Sequence, residues 1–211
     1  TFEVRYGQRD GASSSYDLEL RNLIEWADGN GNGRIDDGET LGWTSLGRFA
    51  FGDVPVQRSN RSDPDGGRVI EFRIPSRIGN VALHVTIAQR FMRLGDSILT
   101  PMEATMEIQM NPRLSHPGAS VGLEFYLYTE DRVRIEGRSW DEVNRFASGE
   151  GAVNVTSREG DRPASVFLSW SNTAVAAGGE IPVAVTNPTL VPDTYDLYFA
   201  YPLGTPQAVS T

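Results

Sequence analysis

Hydrophobic and polar residues alternate with a period of two over much of the chain, as they do in strands that bury one face. Tyr16, Leu18, Leu20, Ile24 and Trp26 fall on one side of an extended segment, and Asp17, Glu19, Arg21 and Glu25 on the other; Asn22 and Leu23 break the pattern. Leu20, Leu23 and Ile24 also stand at helical spacing, so a short helix competes there, but the alternation favours a strand. Val69–Ile74, Val81–Phe91, Ala104–Met110, Val121–Tyr128, Ala164–Trp170, Ile181–Thr186 and Thr194–Tyr201 read as further strands. They are short, rich in β-branched and aromatic residues, and separated by Gly, Pro, Asn and Asp. Only Trp140–Phe146 looks helical, with Ser139 as its cap and Asp141 and Glu142 in its first turn. These patterns predict an all-β fold, a β-sandwich of Ig-like or jelly-roll-like type with at most one or two short helices.

At 211 residues the chain is long enough for one large β-domain or two small ones. No internal repeat or low-complexity tract marks a linker. The weakest seam is the polar stretch Gly149–Asp161, and a cut there leaves a C-terminal piece of about 50 residues, near the lower limit for independent folding. Residues 1–211 are therefore expected to form a single secreted domain.

Composition narrows the function classes. The hydrophobic share is 39% and the charged share 22%, which excludes a disordered chain. A net charge of -9 repels phosphate backbones and anionic lipid and attracts divalent cations, so nucleic acid is not an expected partner. Without cysteine there are no disulfides, zinc-thiolate sites or thiol nucleophiles. No apolar run approaches the roughly 18 residues of a membrane span. All 19 basic residues are Arg. Two explanations for this stand side by side: a rigid, heat-resistant surface of bidentate guanidinium pairs, and a coding bias that acts on the gene rather than the protein. The start at Thr1-Phe2-Glu3-Val4 suggests a mature product freed of its signal peptide, or a trimmed chain.

The sharpest chemical signal is Asp28-Gly29-Asn30-Gly31-Asn32-Gly33-Arg34-Ile35-Asp36-Asp37-Gly38-Glu39. Calcium takes six to eight oxygen ligands in a flexible geometry, and this spacing supplies them in order. Asp28, Asn30 and Asn32 offer side-chain oxygens at positions one, three and five, and Gly33 permits the sharp turn at position six. Arg34 contributes its main-chain carbonyl, with its charge directed away to solvent. Ile35 packs inward, Asp36 binds through water at position nine, and Glu39 closes the site bidentately at position twelve. These twelve residues resemble the EF-hand and dockerin group of calcium loops. The resemblance implies bound Ca2+ held by Asp28, Asn30, Asn32, Arg34, Asp36 and Glu39. Those families flank the loop with helices, whereas Thr40-Leu41-Gly42-Trp43 starts a helix poorly, so a structural ion is expected here rather than an opening switch. An Asn/Gly-rich turn that is acidic by accident would have to match seven set positions.

Other signals are weaker. Gly118-Ala119-Ser120-Val121-Gly122 fits the G-x-S-x-G elbow of hydrolases, but a strand pattern follows where the elbow needs a helix. His84 and His116 lie in unlike contexts, one mid-strand on a solvent face or at an interface, the other in a turn. Glu103, Glu107, Glu124 and Glu136 lie in or beside strands and read as solvated positions, although spacing cannot reveal a glycosidase pair. Trp26, Trp43, Trp140 and Trp170 with Tyr126 and Tyr128 are either core or a platform for sugar rings. Phe125 and Leu127 should face one way and the two tyrosines the other. Asn60-Arg61-Ser62 and Asn154-Val155-Thr156 are glycosylation sequons.

The expectation from sequence is a non-enzymatic, extracellular or cell-surface protein stabilised by calcium, with a structural or adhesive role. Its partners would be further copies or other surface proteins. Phe2, Val4 and Tyr6 alternate like a strand that could fill a neighbour's open edge, which suggests a filament or layer built by strand exchange. The alternative is a calcium-dependent carbohydrate-binding module. A hydrolase with an unrecognised carboxylate pair ranks third.

Overall fold

A computed structural model describes residues 2–7, 13–46, 56–62, 68–78, 81–95, 97–99, 102–110, 113–135, 138–139, 152–156, 165–176, 179–186, 194–202 and 209–210. The fold is all-β and antiparallel, a β-sandwich, with no helix among the described residues. The helical reading of Trp140–Phe146 lies outside them. By compactness the chain divides into two units, Thr1–Arg48 with Pro112–Gln207 and Phe49–Asn111 with Ala208–Thr211.

The strands of the first unit before the division are β1 (Phe2–Gly7), β2 (Ser13–Trp26) and β3 (Thr40–Ser45). The second unit then supplies β4 (Gln57–Ser62), β5 (Arg68–Ile78), β6 (Val81–Leu94), β7 (Ser97–Leu99) and β8 (Met102–Met110). The first unit resumes with β9 (Ser120–Tyr128), β10 (Arg132–Ile135), β11 (Arg138–Ser139), β12 (Ala152–Thr156) and β13 (Ser165–Ser169). It continues with β14 (Thr173–Ala176), β15 (Gly179–Pro182), β16 (Ala184–Thr186) and β17 (Thr194–Tyr201), and β18 (Val209–Ser210) belongs to the second unit.

In the first unit the main sheet runs β1-β2-β9-β17-β16, with β3 also on β2. Its axis is β2, whose first half pairs with β1 and whose second half pairs with β3, while β9 lies along its other edge. The register of β2 on β9 shifts between Leu20 and Asn22. One extra residue turns every later side chain to the opposite face, and this explains why Asn22 and Leu23 broke the alternation in sequence. Leu18, Leu20 and Leu23 stand opposite Leu127, Phe125 and Leu123, whereas Ile24 stands opposite Gly122. Ile24 and Trp26 therefore do not share a face with Tyr16 and Leu18, as simple alternation predicts, but join Asp17 and Glu19 on the other side.

The Leu18 face forms the sandwich core with a second sheet of order β11-β10-β12-β13. Ser14 Oγ donates to the Val155 carbonyl at 3.0 Å and Tyr16 OH to the Phe167 carbonyl at 3.2 Å, tying the two sheets together. Burial pushes the Tyr16 phenol up to about 12. Phe125 and Phe199 meet edge to face at 5.2 Å, and Trp170 meets Phe199 at 5.6 Å. The polar stretch Gly149–Asp161 carries β12, whose Val153 and Val155 are buried. The run Ile181–Thr186, read from sequence as one strand, is two: β15 pairs with β14 and β16 with β17. Pro182 has no N–H to continue a ladder, so the chain changes partners there.

The second unit's strands lie in the order β18-β8-β6-β5-β4, with β7 on the end of β6. Val69, Val81, Val85, Ile108 and Met110 are buried, and His84 is exposed, in keeping with a solvent-face or interface position. Glu71 is buried beside Arg73 at 2.7 Å and Arg61 at 3.7 Å. The hydrogen bond from Arg73 is the main reason its carboxyl stays below the usual range.

Candidate metal centre

The loop Asp28–Glu39 joins β2 to β3, and its base is closed by Ala27 N–H donating to the Glu39 carbonyl at 3.0 Å. Inside it, five side chains turn back on the loop. The Asp28 carboxylate accepts from Asn32 N–H at 3.0 Å and Gly33 N–H at 2.8 Å. Asn30 Oδ1 accepts from Asn32 N–H at 3.0 Å, and Asn32 Oδ1 from Arg34 N–H at 2.9 Å. Glu39 reaches across the loop, accepting from Gly29 N–H at 2.9 Å and Asp36 N–H at 3.0 Å. Asp36 Oδ2 accepts from the amides of Asn30 and Asn32 at 2.9 and 2.7 Å. Gly33 sits at φ 73°, the left-handed turn that position six demands and that other residues resist.

Among the described residues no three His, Asp or Glu side chains group as a metal cluster. The loop's donor set is mixed: three carboxylates, two amides and the Arg34 carbonyl. All are hard oxygens of the kind calcium takes, and the carboxylates and amides already point into one loop, so the residues fit that ion. Holding it requires Asn30 and Asn32 to present oxygen rather than nitrogen, giving up their bonds to Asp36. The Arg34 side chain departs from the expected solvent orientation: it is half-buried, and its Nε is buried with no hydrogen-bond partner among the described residues.

The loop is fastened to the sheet by residues that its own twelve positions do not reveal. Ile35 is 1% exposed and packs with Ile24, Trp26, Ala184, Tyr198 and Ala200. Its carbonyl accepts from Thr186 Oγ1 at 3.0 Å, in a buried bond between residues 151 apart in sequence. Beneath it lies Gly122, where a Cβ would stand 2.6 Å from Ile35 Cδ1 and 3.1 Å from the Phe199 carbonyl. A glycine inside a strand is the one sequence sign of such a close approach. Trp26 is fully buried and donates to the Val121 carbonyl at 2.9 Å, which makes it core rather than a sugar platform.

A second fastening lies at Glu25, which alternation placed on the polar face but which is buried. Its carboxylate accepts from Ser115 N–H at 2.8 Å, His116 N–H at 2.8 Å and the His116 ring Nδ1 at 2.8 Å. The His116 ring also lies against Gly42 of β3. His116 is thus in a turn, as expected, but bound to β2. Burial alone would raise the Glu25 carboxyl; the hydrogen bonds from Ser115 and His116 outweigh it and hold the group below the ordinary value.

Beyond Ile35 the same sheet face carries Glu124 bonded to the Asn22 amide, with Asp196, Tyr126 and Tyr128 nearby in register. Burial raises the Glu124 carboxyl, partly offset by Asn22. Burial, reinforced by Glu124, Asp196 and Asp37, also raises the Tyr198 phenol. Phe125 and Leu127 are buried and Tyr128 is exposed, while Tyr126 is half-buried with the Arg21 guanidinium 3.5 Å over its ring. Trp43, on β3, is 49% exposed and meets Tyr198 edge to face at 5.7 Å. Ser120 opens a strand, not the helix that a nucleophile elbow requires.

No family model matches the chain, and neither a curated protein nor a solved structure matches it.

Proposed function

We propose that this chain is a calcium-stabilised, extracellular structural or adhesive surface protein. The observation that carries the reading is the loop Asp28–Glu39, whose oxygen-bearing side chains turn inward while Ile35 anchors it to the main sheet. An ion held there draws together the end of β2 and the start of β3, so its binding energy becomes stability of the sheet. This is a structural role, and millimolar calcium outside cells is enough to fill even a moderate site. Calorimetric titration with calcium, paired with thermal unfolding in calcium and in EGTA, tests it directly. One bound ion and a raised unfolding temperature are expected; no binding at millimolar calcium would remove the proposal.

Assembly through strand exchange extends the same reading. In the structure β1 occupies the edge of its own β2 over six residue pairs, from Phe2 opposite Leu18 to Gly7 opposite Ser13. Exchange would place β1 of one copy in that register on the next, leaving every backbone bond intact. Sedimentation with and without calcium distinguishes a polymer from a monomer.

A carbohydrate-binding module is the second reading, favoured by the exposed Trp43 beside the loop and the exposed Tyr128 on the same sheet face. Flat aromatic rings next to carboxylate and amide groups suit polyhydroxylated rings. A glycan array that shows no binding by wild type in calcium would eliminate it.

A further inference from the structure

We propose that Gly122 and Thr186, on strands far from the loop in sequence, set the calcium affinity by holding the metal-free loop docked on the sheet. The inference rests on the calcium reading above and adds positioning residues that contribute no ligand atom. An isolated loop with four glycines among its twelve residues has a large conformational entropy to lose on binding an ion. In this chain much of that loss is met beforehand. Ile35 is buried at 1% exposure, directly after Arg34, whose carbonyl is a ligand, and directly before Asp36. Fixing Ile35 therefore fixes the middle of the ligand set.

Two features of the sheet make the docking possible. Gly122 leaves the space that Ile35 Cδ1 enters: an added Cβ would lie 2.6 Å from that atom, 3.1 Å from the Phe199 carbonyl and 3.3 Å from Ile24 Cβ. The first distance forces a shift and the other two are tight; the Phe199 carbonyl is held in the β9–β17 ladder, so the Ile35 side chain is the group that must move. Thr186 supplies the polar half of the fastening, because its hydroxyl satisfies the Ile35 carbonyl at a buried site. The loop is braced by the sheet of its own unit.

Thermodynamically, apparent affinity equals intrinsic affinity multiplied by the fraction of metal-free chains already docked. Undocking lowers that fraction and weakens calcium binding with all six ligand residues unchanged. It also exposes the Arg34–Ile35 peptide bond, which is a trypsin site.

The test uses the full chain with Gly122→Ala and Thr186→Val, each checked for native amide dispersion. Two quantities are measured: calcium affinity by calorimetry, and the rate of tryptic cleavage after Arg34 in EGTA, followed by mass spectrometry of the fragment beginning at Ile35. For Gly122→Ala, calcium binding should weaken by about tenfold, the docked fraction falling to about a tenth, and cleavage, which follows the undocked fraction, should accelerate by more than that. For Thr186→Val, on the short edge strand β16, loss of one buried hydrogen bond should speed cleavage about fivefold and weaken calcium binding by less, since affinity falls only once the docked state ceases to dominate. If Gly122→Ala does not fold, Thr186→Val decides. Folded variants whose affinity and cleavage rate match wild type within twofold overturn the clamp and leave calcium binding standing. A wild type that takes up no calcium overturns the underlying reading instead, and the clamp with it.

Discussion

Replacing Glu25 by Gln probes a carboxylate buried within the first unit and separates its charge from its shape. Glu25 Oε2 accepts from Ser115 N–H, His116 N–H and the His116 ring, and Oε1 from Ser115 N–H at 2.8 Å. The amide of Gln can keep one oxygen in the crowded position, but it puts nitrogen where Oε1 stood, facing a donor. A hydrogen bond to a charged acceptor is worth about 1 kcal/mol more than a neutral one, so three donors give about 3 kcal/mol. The His116 side chain is 46% exposed, and screening by water lowers this to about 2 kcal/mol. Urea unfolding at pH 7 should therefore show a midpoint lower by about 1 M. The pH dependence supplies a second check. Because the folded-state carboxyl lies below its ordinary value of 4.5, its stabilisation is fully present above that value and is lost as pH falls through the folded value. The gap between wild type and Glu25→Gln should be full at pH 7 and close in strong acid. A gap under about 0.5 kcal/mol at pH 7, or one of equal size at both extremes, would show that the charge does not hold the Ser115–His116 turn.

Three further outcomes are expected. Glu39→Gln takes a charge from the proposed ligand set and turns an amide nitrogen towards one of the two N–H groups that Glu39 accepts from. Calcium binding should weaken by about tenfold or more, and the unfolding temperature in EGTA should fall only slightly, because these bonds lie in a largely exposed loop. Leu123→Ala, at a fully buried position opposite Leu23 in the sandwich core, should cost about 3 kcal/mol in denaturant unfolding, with calcium present or absent. When the chain is made in a host that glycosylates Asn-X-Ser/Thr, mass spectrometry should find more glycan on Asn60 than on Asn154. Asn60 lies on the fully exposed β4, whereas Asn154 is half-buried in β12 and accepts from Thr156 Oγ1 at 3.4 Å.

What the amino-acid sequence determined by itself is whatever short-range chemistry decides. Alternation with period two is a local signal, and it located β5, β6, β8, β9, β13 and β17 to within a few residues. The candidate ligands lie within twelve consecutive residues, so their order and spacing were legible without any partner strand, as was the inward packing of Ile35. The shorter strands β10, β11, β12 and β14 were not legible, because so few residues carry too little periodicity to stand out. Tertiary structure alone decided the rest. The bulge after Leu20 placed Ile24 and Trp26 beneath the loop, and pairing of β2 with β9 brought Gly122 under Ile35. Thr186 reached the loop from 151 residues away, and Ser115 and His116 came from a distant turn to bury Glu25. A strand's hydrogen bonds and a glycine's empty space specify that something must fit against them, but not which segment does. That choice is settled only when the whole sheet closes, since each distant contact is stabilised by the neighbours that form with it.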